Sequence, residues 1–124
     1  MNRSLFTAGL MGVTAVAAGA FGAHALQAWV TPERTQVWET AAQYHLIHSV
    51  VILLLAVQSS DGVSRWRLPV MGFTVGVLLF SFSLYALVLT DVTALAMVTP
   101  LGGLVLMASW CALAVIALKS APGK

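Results

Sequence analysis

Three histidines are the residues of this sequence best suited to chemistry, because all of them belong to long apolar stretches. His45 and His48 are three positions apart, a spacing that puts two side chains on one face of a helix. His24 lies about 8 Å along a helix from Trp29, and His45 lies about 10 Å along the next helix from Trp38. If the two tryptophans lie at the same membrane interface, the two histidines are at a similar depth. Ionisable residues within membrane spans are costly, so each indicates a function by default.

Hydroxyl side chains of the later apolar stretches fall at the same predicted depth. Ser81 and Tyr85 are one helical turn apart, Ser83 lies between them, and Thr99 follows Asp91 by about two turns. The sequence therefore predicts a polar layer in the outer half of the membrane. Its candidate members are His24, His45, His48, Ser81, Ser83, Tyr85 and Thr99.

Three interpretations of this layer are open. The first, which we favour, is a network of hydrogen bonds between helices, each contributing about 1 kcal/mol or less. The second is a metal or haem site at His24, His45 and His48, since neutral imidazoles bind copper, zinc and iron. The third is a path for a small molecule or for protons. Because neither cysteine nor carboxylate lies at a matching depth on the same faces, we expect no cofactor, and no particular metal is indicated.

Motifs typical of enzymes are missing from the sequence. It contains no HExxH motif, no phosphate-binding loop, no nucleophile beside a base and no pair of carboxylates within an apolar stretch. The single cysteine, Cys111, has no partner for an internal disulfide and is expected to be a small packing residue. We therefore expect that the protein is not an enzyme.

The composition indicates the surroundings of these residues. Of 124 residues, 60% are hydrophobic and 8% are charged, and the mean hydropathy is +0.94. A soluble globular domain carries about 25% charged residues, so a soluble enzyme, a disordered tail and a nucleic-acid-binding domain are poor interpretations. The chain is predicted to be a membrane protein, with the lipid bilayer around it and no nucleic-acid partner.

Four stretches are apolar enough to cross a bilayer, which takes about 20 residues. They cover approximately residues 5–26, 38–58, 68–90 and 94–118, within a single domain, 1–124. Their short connections predict an all-α membrane protein, an antiparallel bundle of four transmembrane helices. Thr31-Pro32-Glu33 has the composition of a helix start, so the second helix is predicted to begin at Pro32. Pro100 either kinks the fourth helix or begins a new one.

The basic residues predict the orientation of the bundle. With four spans, the two termini and the second connection share one side of the membrane. That side carries Arg3, Arg65, Arg67, Lys119 and Lys124. The opposite side carries only Arg34, and because positive charge collects in the cytoplasm, both termini are predicted to be cytoplasmic. Trp29 and Trp38 are predicted to anchor the outer interface.

Small residues recur along the first stretch at alternating spacings of four and three. They are Ala8, Gly12, Ala15, Gly19 and Gly22. This spacing aligns them on one helix face, where small side chains allow a second helix to approach closely. A ligand groove beside the glycines is the alternative. We expect a helix-packing face, and the same role for Gly102 and Gly103.

Four motifs in chain order resemble a known family. They are Gly19–Leu26, Thr40–His45 with His48, Phe80–Tyr85, and Thr99–Gly103 with Trp110. Together they are similar to the YgdD-like family of small bacterial inner-membrane proteins, the "domain of unknown function 423", which is itself similar to a mitochondrial transmembrane protein of animals. Phe82 departs from the pattern, in which a small residue is expected. The resemblance implies four transmembrane helices in the bacterial inner membrane, and it brings no activity, substrate or cofactor.

Together these features predict a structural or accessory protein that self-associates, or docks on a larger membrane assembly, through its small-residue face. The alternative is a binding or transport protein in which the polar layer holds a metal, a haem or a small ligand.

Overall fold

The computed structural model describes residues 1–59 and 64–120, and within these ranges the chain forms four long helices and no strand. The helices are α1 (Arg3–His24), α2 (Pro32–Gln58), α3 (Arg67–Thr90) and α4 (Thr99–Lys119). Each is long and apolar enough to cross a membrane, α4 together with the turn before it. The predicted all-α class with four membrane-spanning helices is therefore confirmed.

The starts of the first two helices follow local capping chemistry. Asn2 accepts a hydrogen bond from the Leu5 amide at 3.0 Å, and Thr31 accepts one from the Arg34 amide at 3.2 Å. These side chains satisfy amides that no helical carbonyl reaches. Pro32 occupies the first turn of α2, so the predicted start of this helix is confirmed.

Short 3₁₀ turns, Leu26–Ala28 and Thr93–Met97, connect α1 to α2 and α3 to α4. Helix α1 ends at His24, before the predicted boundary at residue 26. Pro100 lies in the first turn of α4, so the structure has a new helix at this proline rather than a kink. The helix begins at Thr99, after the predicted start at residue 94, because proline is favourable in a first turn and unfavourable within a helix.

Backbone packing follows the order of the chain: α1 packs on α2, α2 on α3, and α3 on α4. Helices α2 and α3 are therefore the inner pair. In their apolar spans, 39% of the residues are buried within the protein, against 22% for α1 and 17% for the fourth span. The two outer helices consequently turn most of their surface toward the membrane.

The bundle has a loop end and a termini end. The loop end carries Arg34 in the first turn of α2 and Asp91 after α3, and these side chains form an ion pair at 2.7 Å. Asp91 has a left-handed backbone conformation, with φ of 56°, which aspartate tolerates better than most residues. The termini end carries Arg3 at the start of α1 and Lys119 at the end of α4.

Glycines bring α3 and α4 into close contact. A Cβ added at Gly102 would lie 2.7 Å from the Cα of Phe80, and one at Gly76 would lie 3.2 Å from the backbone nitrogen of Leu106. Such close approach gives two helices in lipid the packing energy that the hydrophobic effect gives in water. Gly102 is therefore a packing residue of this seam, whereas a Cβ at Gly103 would make only ordinary contact with the Phe80 ring, at 3.8 Å.

Candidate functional site

His45 lies inside the bundle, where α2 faces both α1 and α3. Its side chain is 0% exposed. Its Nδ1 lies 2.9 Å from the Tyr85 hydroxyl of α3, and its Nε2 lies 3.0 Å from the Thr14 hydroxyl of α1. The Phe82 ring packs beside the imidazole, with the ring centroids 5.2 Å apart. Both ring nitrogens therefore have partners, and this one side chain joins three helices.

One assignment of the protons around His45 gives every donor an acceptor. In this assignment the Thr14 hydroxyl donates to a carbonyl of its own helix, that of Leu10 at 2.9 Å or of Met11 at 3.0 Å, and its oxygen accepts from the Nε2–H of His45. Nδ1 of the neutral ring then accepts the proton of the Tyr85 hydroxyl. The chain of hydrogen bonds runs from α3 through His45 to α1 and ends on a backbone carbonyl. Every proton is used, as expected for a histidine that holds helices together.

Trp38 covers this cluster on its loop-end side. It is buried, its Nε1 donates to the Ala18 carbonyl at 2.7 Å, and its ring lies 4.5 Å from that of Tyr85. Gly22 makes room for the indole, since an added Cβ there would lie 2.6 Å from the ring. Trp38 lies between the helices rather than on the lipid-facing surface, because the glycine on α1 admits its indole. Trp29, by contrast, is exposed.

His48 is buried and contacts α4. The Trp110 indole donates to Nε2 of His48 at 3.2 Å, so the ring proton is on Nδ1, which donates to the Tyr44 carbonyl at 2.7 Å. The ring also packs against Phe73. The two histidines, although three positions apart, therefore serve different contacts: His45 links α2 to α1 and α3, and His48 links α2 to α4.

Two serines of α3 extend the polar contacts between helices. Ser81 donates to the Ala41 carbonyl of α2 at 2.8 Å, and the Ser83 hydroxyl lies 2.7 Å from that of Thr99 at the start of α4. Each of these hydroxyls meets a neighbouring helix rather than a common centre. The candidate layer is thus a set of separate interhelical hydrogen bonds.

His24 is remote from these contacts. It is the last residue of α1 and is exposed at the loop end. Within residues 1–59 and 64–120, no group of three or more His, Cys, Asp or Glu side chains could hold a metal ion. The structure therefore does not assemble His24, His45 and His48 into the metal or haem site considered above. His24 is exposed at the end of α1, and the ring nitrogens of the other two histidines already have hydrogen-bond partners.

The candidate small-residue face of α1 is divided between two surfaces. Its buried members are Ala8, Ala15 and Gly22. Gly12 and Gly19 point elsewhere, since an added Cβ at either would meet no atom within 4 Å. The helix is rotated so that Met11 is buried and Thr14 reaches His45. The surface of α1 that packs against the rest of the bundle therefore includes three of the five small residues and excludes Gly12 and Gly19.

Sequence reasoning missed the partners of both buried histidines. Thr14 and Trp110 carry donor groups within otherwise apolar helices, and a donor in lipid needs an acceptor. That need is the signal that could have identified them. The ion pair of Arg34 with Asp91 was also missed, although opposite charges at two span boundaries on one side of the membrane indicate it.

These four apolar helices, joined by interhelical hydrogen bonds and with two helices turned outward, define a small multi-pass α-helical membrane protein. The chain belongs to the family described as "Protein of unknown function (DUF423)", whose model matches residues 18–103. The resemblance carried by the four motifs is thereby confirmed.

Relatives in several bacteria match nearly the whole chain. The UPF0382 membrane protein YwdK of Bacillus subtilis is 36% identical over 107 residues, which cover 85% of this chain and 87% of that protein. A UPF0382 membrane protein of Staphylococcus aureus is 34% identical over 123 residues, covering 98% and 99%. One of Haemophilus influenzae is 32% identical over 119 residues, covering 96% of each. No solved structure matches the chain.

Proposed function

We propose that the protein is a structural or accessory membrane protein without catalytic activity, which acts through its membrane-facing surface. One observation carries this proposal: within residues 1–59 and 64–120, every buried side-chain nitrogen or oxygen has a hydrogen-bond partner. The ring nitrogens of His45 and His48 are included. An interior whose polar groups are all engaged favours a structural role for those groups over ligand binding.

Lateral association is proposed to use the first half of α1. Leu5, Gly9 and Gly12 are separated by four and three positions, the spacing by which two helices pack along a seam. Leu5 is exposed, and an added Cβ at Gly9 or Gly12 would meet no atom within 4 Å. A second copy of the chain, or a helix of a larger membrane assembly, could therefore approach the α1 backbone closely.

Disulfide crosslinking in isolated membranes tests this association. Cys111→Ser removes the native thiol, and Leu5→Cys puts one on the proposed face. We expect oxidation to give a crosslinked product, either a homodimer or an adduct with another membrane protein. Gly9→Leu should lower its yield severalfold, because a bulky side chain separates the two backbones. Ala17→Leu, at an exposed position about 120° around α1 from Leu5, is the control and should leave the yield unchanged. A Leu5→Cys chain that gives no product would contradict the proposal.

Analysis of the purified protein separates this function from binding or transport at the histidines. We expect neither stoichiometric metal nor a haem absorption band. A bound metal or haem that is lost in His45→Ala would overturn the structural role and support the alternative.

We further propose that the protein resides in the bacterial cytoplasmic membrane with both termini in the cytoplasm. The concentration of basic residues at the termini end supports this orientation. A fluorescent protein fused after Lys124 should fluoresce in cells, and alkaline phosphatase fused there should be inactive. The reverse result would refute the orientation.

A further inference from the structure

A groove between α1 and α2 at the loop end contains polar side chains that have no partner. Its volume is about 870 Å³. Helix α2 contributes Gln36, Glu39, Thr40 and Gln43, all of them exposed. In the described ranges, 1–59 and 64–120, none of these four side chains has a hydrogen bond or an ion pair. This is the reverse of the interior, where every buried polar atom that the structure describes has a partner.

Glu39 is expected near the level where lipid headgroups meet the hydrocarbon core, because the uncharged stretch of α2 begins at the next residue. The ion pair of Arg34 with Asp91 marks the boundary of the bundle. Glu39 is about 7 Å further along the helix, and each headgroup layer is about 5–7 Å thick. A carboxylate at this depth is costly unless a cation lies beside it. No lysine or arginine is among the described residues that line the groove, so a cation beside Glu39 would come from outside the chain.

Polarity changes along the groove in the same order as along a phospholipid. Glu39 comes first, at headgroup level. Thr40 and Gln43 follow within the next turn, and both can donate hydrogen bonds to phosphate or ester oxygens. Beyond them, Leu46 of α2 and Val16 of α1 are apolar and exposed. A phospholipid presents a polar headgroup and an apolar tail in this same order.

Small residues of α1 leave space beside this row of side chains. Gly19 and Ala20 line the same groove, and an added Cβ at Gly19 would meet no atom within 4 Å. An acyl chain can therefore lie directly against the α1 backbone.

We propose that this groove binds a phospholipid whose headgroup carries a primary ammonium. Glu39 accepts hydrogen bonds from the ammonium, Thr40 and Gln43 donate to the ester oxygens beneath the headgroup, and an acyl chain lies over Gly19 and Val16. An anionic headgroup would meet the carboxylate without a compensating cation, and a trimethylated ammonium has no N–H to donate. This inference rests on the proposed function, since it names a ligand of the membrane-facing surface.

Native mass spectrometry with competing lipids tests the headgroup preference. The full chain, purified in a mild detergent, is titrated with phosphatidylethanolamine, phosphatidylcholine and phosphatidylglycerol that have identical acyl chains. We expect phosphatidylethanolamine to be retained about tenfold more strongly than the others, the effect of one charge-assisted hydrogen bond. Equal retention of the three lipids would overturn the proposal.

Two pairs of variants test the roles of Glu39 and Gly19 in lipid binding, each with a control residue outside the groove. Glu39→Gln should abolish the preference, whereas Glu33→Gln, an exposed acid of the same helix outside the groove, should keep it. Gly19→Leu should block the groove and lower retention severalfold. Gly9→Leu, at an equally open position outside the groove, should not. Unchanged lipid binding in Glu39→Gln, or equal losses in the two glycine variants, would refute the site.

A crosslinking experiment distinguishes lipid from protein as the occupant. Ala20→Cys with Cys111→Ser carries its thiol in the groove, and a disulfide to a second copy or to another protein would overturn the lipid assignment. If the Leu5→Cys crosslink persists while the lipid preference is missing, the lipid site alone fails. If the preference is present and that crosslink is missing, lateral association alone fails.

Discussion

The surroundings of His45 and of Glu39 differ sharply, although the two residues lie less than two turns apart on α2. His45 is buried between three helices, and both of its ring nitrogens have hydrogen-bond partners. Glu39 is exposed beside α1, and its carboxylate has no hydrogen bond or ion pair within the described residues. A polar group that neighbouring helices satisfy completely holds the fold together. The proposed lipid site rests on one that no group of the described chain satisfies.

The largest expected difference between the two regions is in stability. His45→Ala removes two interhelical hydrogen bonds and leaves a cavity, so we expect the free energy of unfolding to fall by about 3 kcal/mol. Glu39→Ala removes no contact within the chain and should change it by at most about 0.5 kcal/mol. Reversible unfolding in mixed micelles measures both. Equal losses would show that Glu39 is also a structural residue.

A second comparison uses two glycines of α1: Gly22, which is buried against α2, and Gly19, which lies on the open surface. Gly22→Leu forces a side chain into the Trp38 indole, and we expect a loss of about 2 kcal/mol in the free energy of unfolding. Gly19→Leu meets open space and should leave stability unchanged or slightly higher, since leucine favours a helix more than glycine does. The same unfolding assay measures both, and a reversed order would contradict the assigned rotation of α1.

The smallest expected effect concerns the two hydrogen bonds of His45 taken separately. Tyr85→Phe and Thr14→Val should each lower the free energy of unfolding by about 1 kcal/mol. Because one imidazole ring links the two bonds, a double-mutant cycle should give a coupling energy of about 0.5 kcal/mol. Strict additivity would mean that the two bonds act independently.

The helices were predictable because their signals are local. Span length and hydrophobicity indicated four crossings, and Thr31-Pro32-Glu33 indicated the start of α2. The candidate polar residues His45, Ser81 and Tyr85 also followed from the cost of a polar side chain in lipid. Their partners could not be read in the same way, because a partner depends on which faces of two helices meet.

The rotation of α1 illustrates that limit. The small residues alone are compatible with a face that includes Gly12 and Gly19. The observed face includes Met11 instead, because Thr14 bonds His45 and because Trp38 packs over Gly22. Both contacts are made with side chains of α2. Periodicity within one helix therefore identified several candidate faces and did not select between them.

The packing of each helix on its predecessor has a consequence for biosynthesis. A chain whose contacts are mostly local can fold rapidly and as it is made. Helix α2 meets α1 as soon as it enters the bilayer, so His45 can bond Thr14 while α3 is still being translated. The Nδ1 of His45 has no partner until α3 brings the Tyr85 hydroxyl. We therefore expect the arrival of α3 to complete the polar interior, and a nascent chain that stops after Gln58 to leave this histidine half-bonded in lipid.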